Sequence, residues 1–265
     1  MKKLLLFFMS FFTLLGFSQF PEGFEGATFP PAGWVTFQNE NGPIREWTRT
    51  STASFVFTGT GWSARIDGEN VTDGLLAIDW LVSPQVLIPT NGQVRFYARD
   101  ADASNRASSY SVRISTTSQT DPLAFTTVQT WTETDFDWQN YQQKFVSLAA
   151  YVGENVYIAF VMENDNGDRW LIDQIKVDSK CLAPTVLTST PLATSATLSW
   201  NTASNPTGPW EIEYGPAGFA PGTGTIVIVP SPTSTLNLTG LSPLTSYTYF
   251  VRTLCDTDNP SPWSA

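Results

Sequence analysis

Histidine is absent from the 265 residues, cysteine occurs twice and methionine three times. Without an imidazole, neither a Ser-His-Asp nor a Cys-His nucleophile can be assembled, and zinc sites lose their commonest nitrogen ligand. What remains is carboxylate chemistry: an acid/base pair, or oxygens holding a hard cation. No spacing among the 24 acidic residues singles out a hydrolytic pair. The chain therefore reads as no enzyme in its own right.

Positive charge is also scarce. Fourteen Lys and Arg stand against 24 Asp and Glu, a net charge of −10, which argues against nucleic acid or an anionic membrane as partner. Long apolar runs are confined to the N-terminus, where Lys2-Lys3 precede Leu4 to Phe17 and Ser18-Gln19 follows as a processing point. That run is shorter than the roughly 20 residues of a spanning helix, so residues 1–19 read as a signal peptide. The expectation is a secreted or outer-surface protein with no membrane insertion once the signal is removed.

A sustained helical period is missing as well, whereas strand alternation recurs between Gly and Pro punctuation, which predicts an all-β chain. Val94, Phe96 and Ala98 share one face against Arg95, Tyr97 and Arg99, and Tyr110, Val112 and Ile114 repeat the pattern. Leu75 to Val82 and Asn155 to Met162 are apolar on both phases, as central strands covered on two sides must be. Two packed sheets follow from this. The alternation stops near Ser179-Lys180 and restarts after Ala183-Pro184, so the domain boundaries are read as 20–178 and 181–265. In the second domain strands are expected at 185–188, 196–200, 210–214, 225–229, 235–238 and 246–254, the spacing of a small β-sandwich.

Two resemblances attach to these domains. Leu198-Ser199-Trp200, Trp210-Glu211-Ile212-Glu213-Tyr214-Gly215 and Leu241-Ser242-Pro243-Leu244-Thr245-Ser246-Tyr247 resemble a fibronectin type III domain over nearly all of 181–265. That family implies Trp200 packed against Tyr247, and a last strand that starts around Trp263 and is truncated at Ala265. Phe24-Glu25-Gly26, Pro30-Pro31-Ala32-Gly33-Trp34, Trp80-Leu81-Val82-Ser83-Pro84, Tyr151 to Phe160 and Leu171-Ile172-Asp173-Gln174-Ile175 resemble the cleaved-adhesin or choice-of-anchor jelly-roll domains of secreted Bacteroidetes proteins. That resemblance implies a MAM-like jelly-roll β-sandwich exported by type IX secretion as an accessory part of a larger protein. It also implies partners such as an extracellular polysaccharide, a glycoprotein or a host or matrix protein. A carbohydrate-binding accessory module, or a non-catalytic fragment of an exported protease or glycosidase, is the alternative.

Asp173 shares a strand phase with Leu171, Ile175 and Val177, and Asp79 sits between Ile78 and Trp80. Burying either charge costs several kcal/mol unless it is compensated. Ca²⁺ would compensate, as would an ion pair with Arg65, Arg99 or Arg169. Calcium-binding adhesin jelly rolls resemble this domain, which points to Glu25 and Asp173 as ligands, although Gln174 replaces the family's second acid. Trp131, Phe136 and Trp138, interspersed with acids and amides, have the composition of a sugar-binding surface. Cys181 and Cys255, at the first and sixth strands of the second domain, read as one disulfide in an exported protein.

Overall fold

The computed structural model describes residues 20–42, 45–71, 74–201 and 208–264, and the expected signal peptide at 1–19 lies outside them. Strands and single 3₁₀ turns make up the regular structure of the described residues. The chain falls into two compact units. The first takes the described residues up to Pro84 with Arg95–Lys144 and Tyr157–Lys176; the second takes Gln85–Val94, Phe145–Val156 and the described residues from Val177 onward.

Two antiparallel sheets run through the first unit. One has the order β1 (Val35–Gln38), β4 (Ala77–Val82), β10 (Asn155–Asn164), β7 (Ser109–Ser115), β8 (Thr126–Thr132), with β5 (Val86–Leu87) joined to β10. The other has the order β2 (Thr48–Thr50), β3 (Ser63–Asp67), β11 (Arg169–Ser179), β6 (Gly92–Asp100), β9 (Gln142–Ser147). Apart from the consecutive pairs β2–β3 and β7–β8, neighbours in these sheets are distant in sequence, so their cores depend on long-range pairing.

β4 and β10 lie side by side in the sheet interior, with Asp79 opposite Met162 and Ala77 opposite Asn164. Their two apolar phases are both used. Trp80, Val82, Ala159 and Val161 form a cluster on one face, where Phe37 stacks on Trp80 at 5.3 Å. The other phase, with Leu81, Ile158 and Phe160, is fully buried. Trp170 is the hub of the aromatic core: its ring lies 4.9 Å from Tyr110, 5.5 Å from Trp47 and 6.4 Å from Phe160. Such tilted and edge-on pairs add to area burial through the ring quadrupoles.

In the second unit β5 pairs with the start of β10, and the Leu148 N–H donates to the Gly92 carbonyl. Its remaining strands form two three-stranded sheets. β12 (Thr185–Pro191), β13 (Ser195–Asn201) and β16 (Thr235–Thr239) make one; β15 (Thr225–Val229), β14 (Trp210–Pro216) and β17 (Tyr247–Thr253) make the other. These ranges lie within a few residues of the expected ones. Ala196, Leu198, Trp200, Trp210, Ile212, Leu238 and Val251 form the core.

One aromatic contact differs from expectation. Trp200 packs against Trp210 at 5.9 Å, and it is Tyr249, not Tyr247, that joins their cluster. The Tyr247 hydroxyl instead accepts the Ser242 N–H at 3.1 Å and ties the strand to the preceding loop. Ser261 and Ser264 pair along β17 through Thr253 and Val251, so strand-like pairing begins slightly before Trp263. The disulfide between Cys181 and Cys255 is formed, with its Cα atoms 5.9 Å apart.

Candidate functional site

Glu25 and Asp173 meet at the turn that precedes β1. The turn is anchored by Phe24, which is buried with its ring 6.2 Å from Trp34, and by reciprocal 2.8 Å hydrogen bonds between Glu22 and Ile175 of β11. Its backbone bends through a positive φ of 61° at Phe24. Glu25 itself is exposed, and its Oε1 accepts the Trp62 N–H at 3.0 Å. Room for that carboxylate exists because residue 61 is glycine: a Cβ there would lie 2.3 Å from Oε1, and the φ of +86° disfavours any side chain.

Asp173 is 4% exposed. Its Oδ2 accepts the Ser63 hydroxyl at 2.7 Å and its Oδ1 accepts the Gln174 N–H at 2.7 Å. Burial pushes its pKa up to about 6, and repulsion from Glu25 adds to the rise while the hydrogen bonds oppose it. Beside the pair, Arg49 of β2 donates to the carbonyls of Phe24, Gly26 and Ala27 and lies over the Trp62 ring at 4.1 Å. The turn thus aims three carbonyl oxygens at the Arg49 guanidinium, next to the Glu25 and Asp173 carboxylates.

Asp79 is elsewhere, on the interior face of β4, and the charges acting on it are Glu69 and Glu46 rather than Glu25 or Asp173. Arg65, Arg99 and Arg169, the alternative partners expected for these acids, are engaged otherwise. Arg65 and Arg169 both grip Asp67, holding its carboxyl below the usual range, and Arg99 donates to the Gln139 carbonyl. Among the described residues no group of three or more His, Cys, Asp or Glu side chains is arranged to hold a metal ion. Any cation here would therefore need backbone or amide oxygens, or water, beside the carboxylates.

The three aromatics expected to line a ligand surface separate. Phe136 is 9% exposed and packs edge-on against Tyr110 at 5.3 Å, so it belongs to the core. Trp131 is half-buried between Phe96 and Phe136. Only Trp138 offers an open ring, 46% exposed. It borders a cavity of about 130 Å³ lined also by Asp100, Asp102, Asn105, Glu133 and Thr134. β8 is mostly exposed, with only Val128 and Trp131 partly covered; Phe136 turns inward at the end of the 3₁₀ turn that follows, and Trp138 lies in the bend beyond it.

Asp100, on the cavity wall, belongs to a buried acidic set that the sequence pattern did not single out. Asp100 accepts the Tyr110 hydroxyl at 3.2 Å and lies beside the Asp168 carboxyl, while Glu133 accepts the N–H groups of Arg106 and Ser108. A signal existed: Asp100 continues the inward phase of Val94, Phe96 and Ala98 by one step.

The model for the Cleaved Adhesin Domain matches residues 18–177. Among solved structures, the K1 cleaved adhesin domain of Lys-gingipain from Porphyromonas gingivalis W83 is 20% identical, with a TM-score of 0.45, covering 60% of this chain and 96% of that one. The K2 cleaved adhesin domain of Lys-gingipain is 21% identical, with a TM-score of 0.43, covering 59% of this chain and 96% of that one. TmCBM61 in complex with β-1,4-galactotriose is 12% identical, with a TM-score of 0.40, covering 60% and 95%. No curated protein matches the chain in sequence. Since the family model spans more than half of the 265 residues, the chain belongs to the cleaved adhesin domain family.

Proposed function

We propose that this chain is a non-catalytic adhesion module of a larger extracellular or cell-surface protein, exported by its N-terminal signal through type IX secretion. The family match over residues 18–177 carries this reading. The absence of histidine and the acidic balance of −10 agree with a binding role toward neutral ligands. Residues 181–265 serve as a fibronectin type III spacer or second binding module, a reading supported by the motif around Trp200 and Trp210 and by the Tyr247 hydroxyl bond to Ser242. Ca²⁺ held by Glu25 and Asp173 would neutralise two repelling carboxylates and stiffen the turn before β1.

The ligand class favoured by a specific observation is an extracellular polysaccharide or glycoprotein glycan. Trp138 presents a bare indole face beside a cavity bearing carboxylates and an amide, and sugar C–H faces stack on such rings while their hydroxyls take polar partners. A glycan array probed with the purified chain, with and without Trp138→Ala, is the experiment. Saturable binding that the substitution removes supports the glycan reading. Binding to matrix or host proteins alone leaves the adhesion role and ends the glycan one, and an intrinsic hydrolytic turnover would overturn both.

A further inference from the structure

β15 lies at one end of the β15-β14-β17 sheet: β14 takes up one of its sides, and the other is an open edge. Its sequence, Thr-Ile-Val-Ile-Val, carries no charge, proline or glycine, and Ile226 and Ile228 are 54% and 52% exposed. The register fixes which face they occupy. Val227 lies opposite Ile212 and Val229 opposite Trp210, both of the core, so Ile226 and Ile228 lie on the outer face beside Glu213 and Glu211. Those acids are themselves covered: Glu213 accepts the Gly222 and Gly224 N–H groups, and Glu211 pairs with Arg252, whose guanidinium lies 4.3 Å over the Trp263 ring. The outer face is thus shielded over β14 and leaves an apolar strip along β15.

An open edge offers its N–H and C=O groups to any extended strand, and proteins commonly blunt it with a charge, a bulge, a proline or a very short strand. The other edges among the described residues are treated in this way or are occupied. β1 and β2 have four and three residues, β9 carries Lys144, and the pairing of β8 shifts register. β12 shifts register and ends at Pro191, β16 turns Thr235, Asn237 and Thr239 outward, and Ser261 and Ser264 bond along β17. β15 has no such protection.

The occupant that fits is a second copy of this chain. Ile226-Val227-Ile228 reads the same in both directions, so two β15 strands set antiparallel about Val227 place Ile226 of each opposite Ile228 of the other. A two-fold contact requires such a self-complementary patch. Copies with a net charge of −10 repel one another, and an uncharged strip is where they can approach. We infer that β15 is a homodimerisation edge, through which two second units join their three-stranded sheets into one continuous sheet. Five residues a side are far fewer than the about 20–30 of a standard interface, so the dimer is weak and forms at high protein concentration. It carries two first units on one body, so that contacts to a polymeric ligand act with avidity. The inference stands apart from the ligand proposed above.

Sedimentation equilibrium of the full chain, disulfide intact, over a concentration series is the test, with Ile226→Lys/Ile228→Lys beside the parent. The parent's weight-average mass should rise toward twice that of one chain, and the double variant, whose lysines face Glu213 and Glu211, should keep the parent's circular dichroism and stay at one. A parent that is monomeric throughout overturns the inference and leaves the edge to an extended strand of another protein. A dimer that survives the two lysines overturns it too, by placing the contact elsewhere. Cross-linking reads the register independently of any loss of folding. In the pairing about Val227, Ile226→Cys and Ile228→Cys chains bring their Cβ atoms to about 4.5–5.5 Å, whereas like positions sit on the diagonal about 7–8 Å apart, beyond disulfide reach. Mild oxidation should therefore link a mixture of the two variants and neither one alone. Equal linking in all three samples would overturn the assigned pairing.

Discussion

Asp100 and Asp168 are buried neighbours, and burial together with the nearby Asp168 carboxyl pushes the Asp100 pKa up to about 8. Both are buried, and burial raises both pKa values; the Tyr110 hydroxyl closes the set at 3.2 Å. The unfolded chain releases the same protons near the ordinary aspartate value of about 3.9. Above that pH the native state binds more protons than the unfolded state, so stability declines as pH rises until Asp100 ionises near pH 8. The decline attributable to one such proton is at most about 1.4 kcal/mol per pH unit. Asp100→Asn keeps the shape and removes the titration. Urea denaturation from pH 5 to pH 9 should show a shallower slope for the variant and a gain over the parent at the alkaline end; parallel curves would mean that the pair is not the titrating unit.

Trp170 and Trp138 should respond oppositely to truncation. Trp170 is fully buried among Tyr110, Trp47, Phe96, Phe136 and Phe160. Trp170→Ala should destabilise by about 3–5 kcal/mol, the usual loss for a large core aromatic. Trp138, with nearly half of its surface in water, should lose less than about 0.5 kcal/mol on the same change, as surface substitutions do. Chemical denaturation separates the two, and equal losses would show that Trp138 packs more tightly than its exposure indicates.

Strand alternation made β6, β7, β10 and the six strands from β12 to β17 legible, because side chains of one phase must face one environment. The same logic placed Asp173 indoors, and Asp79, flanked by apolar residues in β4, was legible as a misplaced charge. Periodicity could not say which loops close over them. Glu25 reaches Trp62, 37 residues away, and Glu69 reaches Asn164, 95 residues away, through turns whose path no local pattern encodes. Composition misled at Phe136: its neighbours are polar, yet its ring falls on the core side of a turn. Arg49 was overlooked for a related reason. Its role depends on carbonyl orientations in the 24–27 turn, which side-chain pattern does not carry.

Gly61 is the backbone condition for the Glu25 position. Gly61→Ala would bring a methyl group to 2.3 Å from Glu25 Oε1 in a backbone with φ of +86°. Moving an alanine into that region costs about 1–2 kcal/mol before any clash is counted. The variant should therefore melt lower than the parent, and any rise in melting temperature on adding Ca²⁺ through Glu25 and Asp173 should shrink with it. A variant with the full calcium response would show that Glu25 contributes nothing to ion uptake.

The disulfide offers a test confined to the second unit. Cys181 and Cys255 are 74 residues apart, and closing a loop of that length removes chain entropy from the unfolded state worth about 4 kcal/mol in the loop-closure treatment. The folded sheets do not need the bond to define their register. Ladders from β12 to β17 fix the pairing, the core around Trp200 and Trp210 is apolar throughout, and the Thr253 hydroxyl donates to the Leu182 carbonyl at 2.9 Å beside the bridge. Cys181→Ser/Cys255→Ser should consequently fold to the same strand content by circular dichroism and unfold at lower denaturant. The Trp170 environment in the first unit should keep its near-ultraviolet signal at denaturant concentrations where the second unit has melted. Coincident loss of both signals at the lowered midpoint would instead show that the two units unfold as one cooperative body.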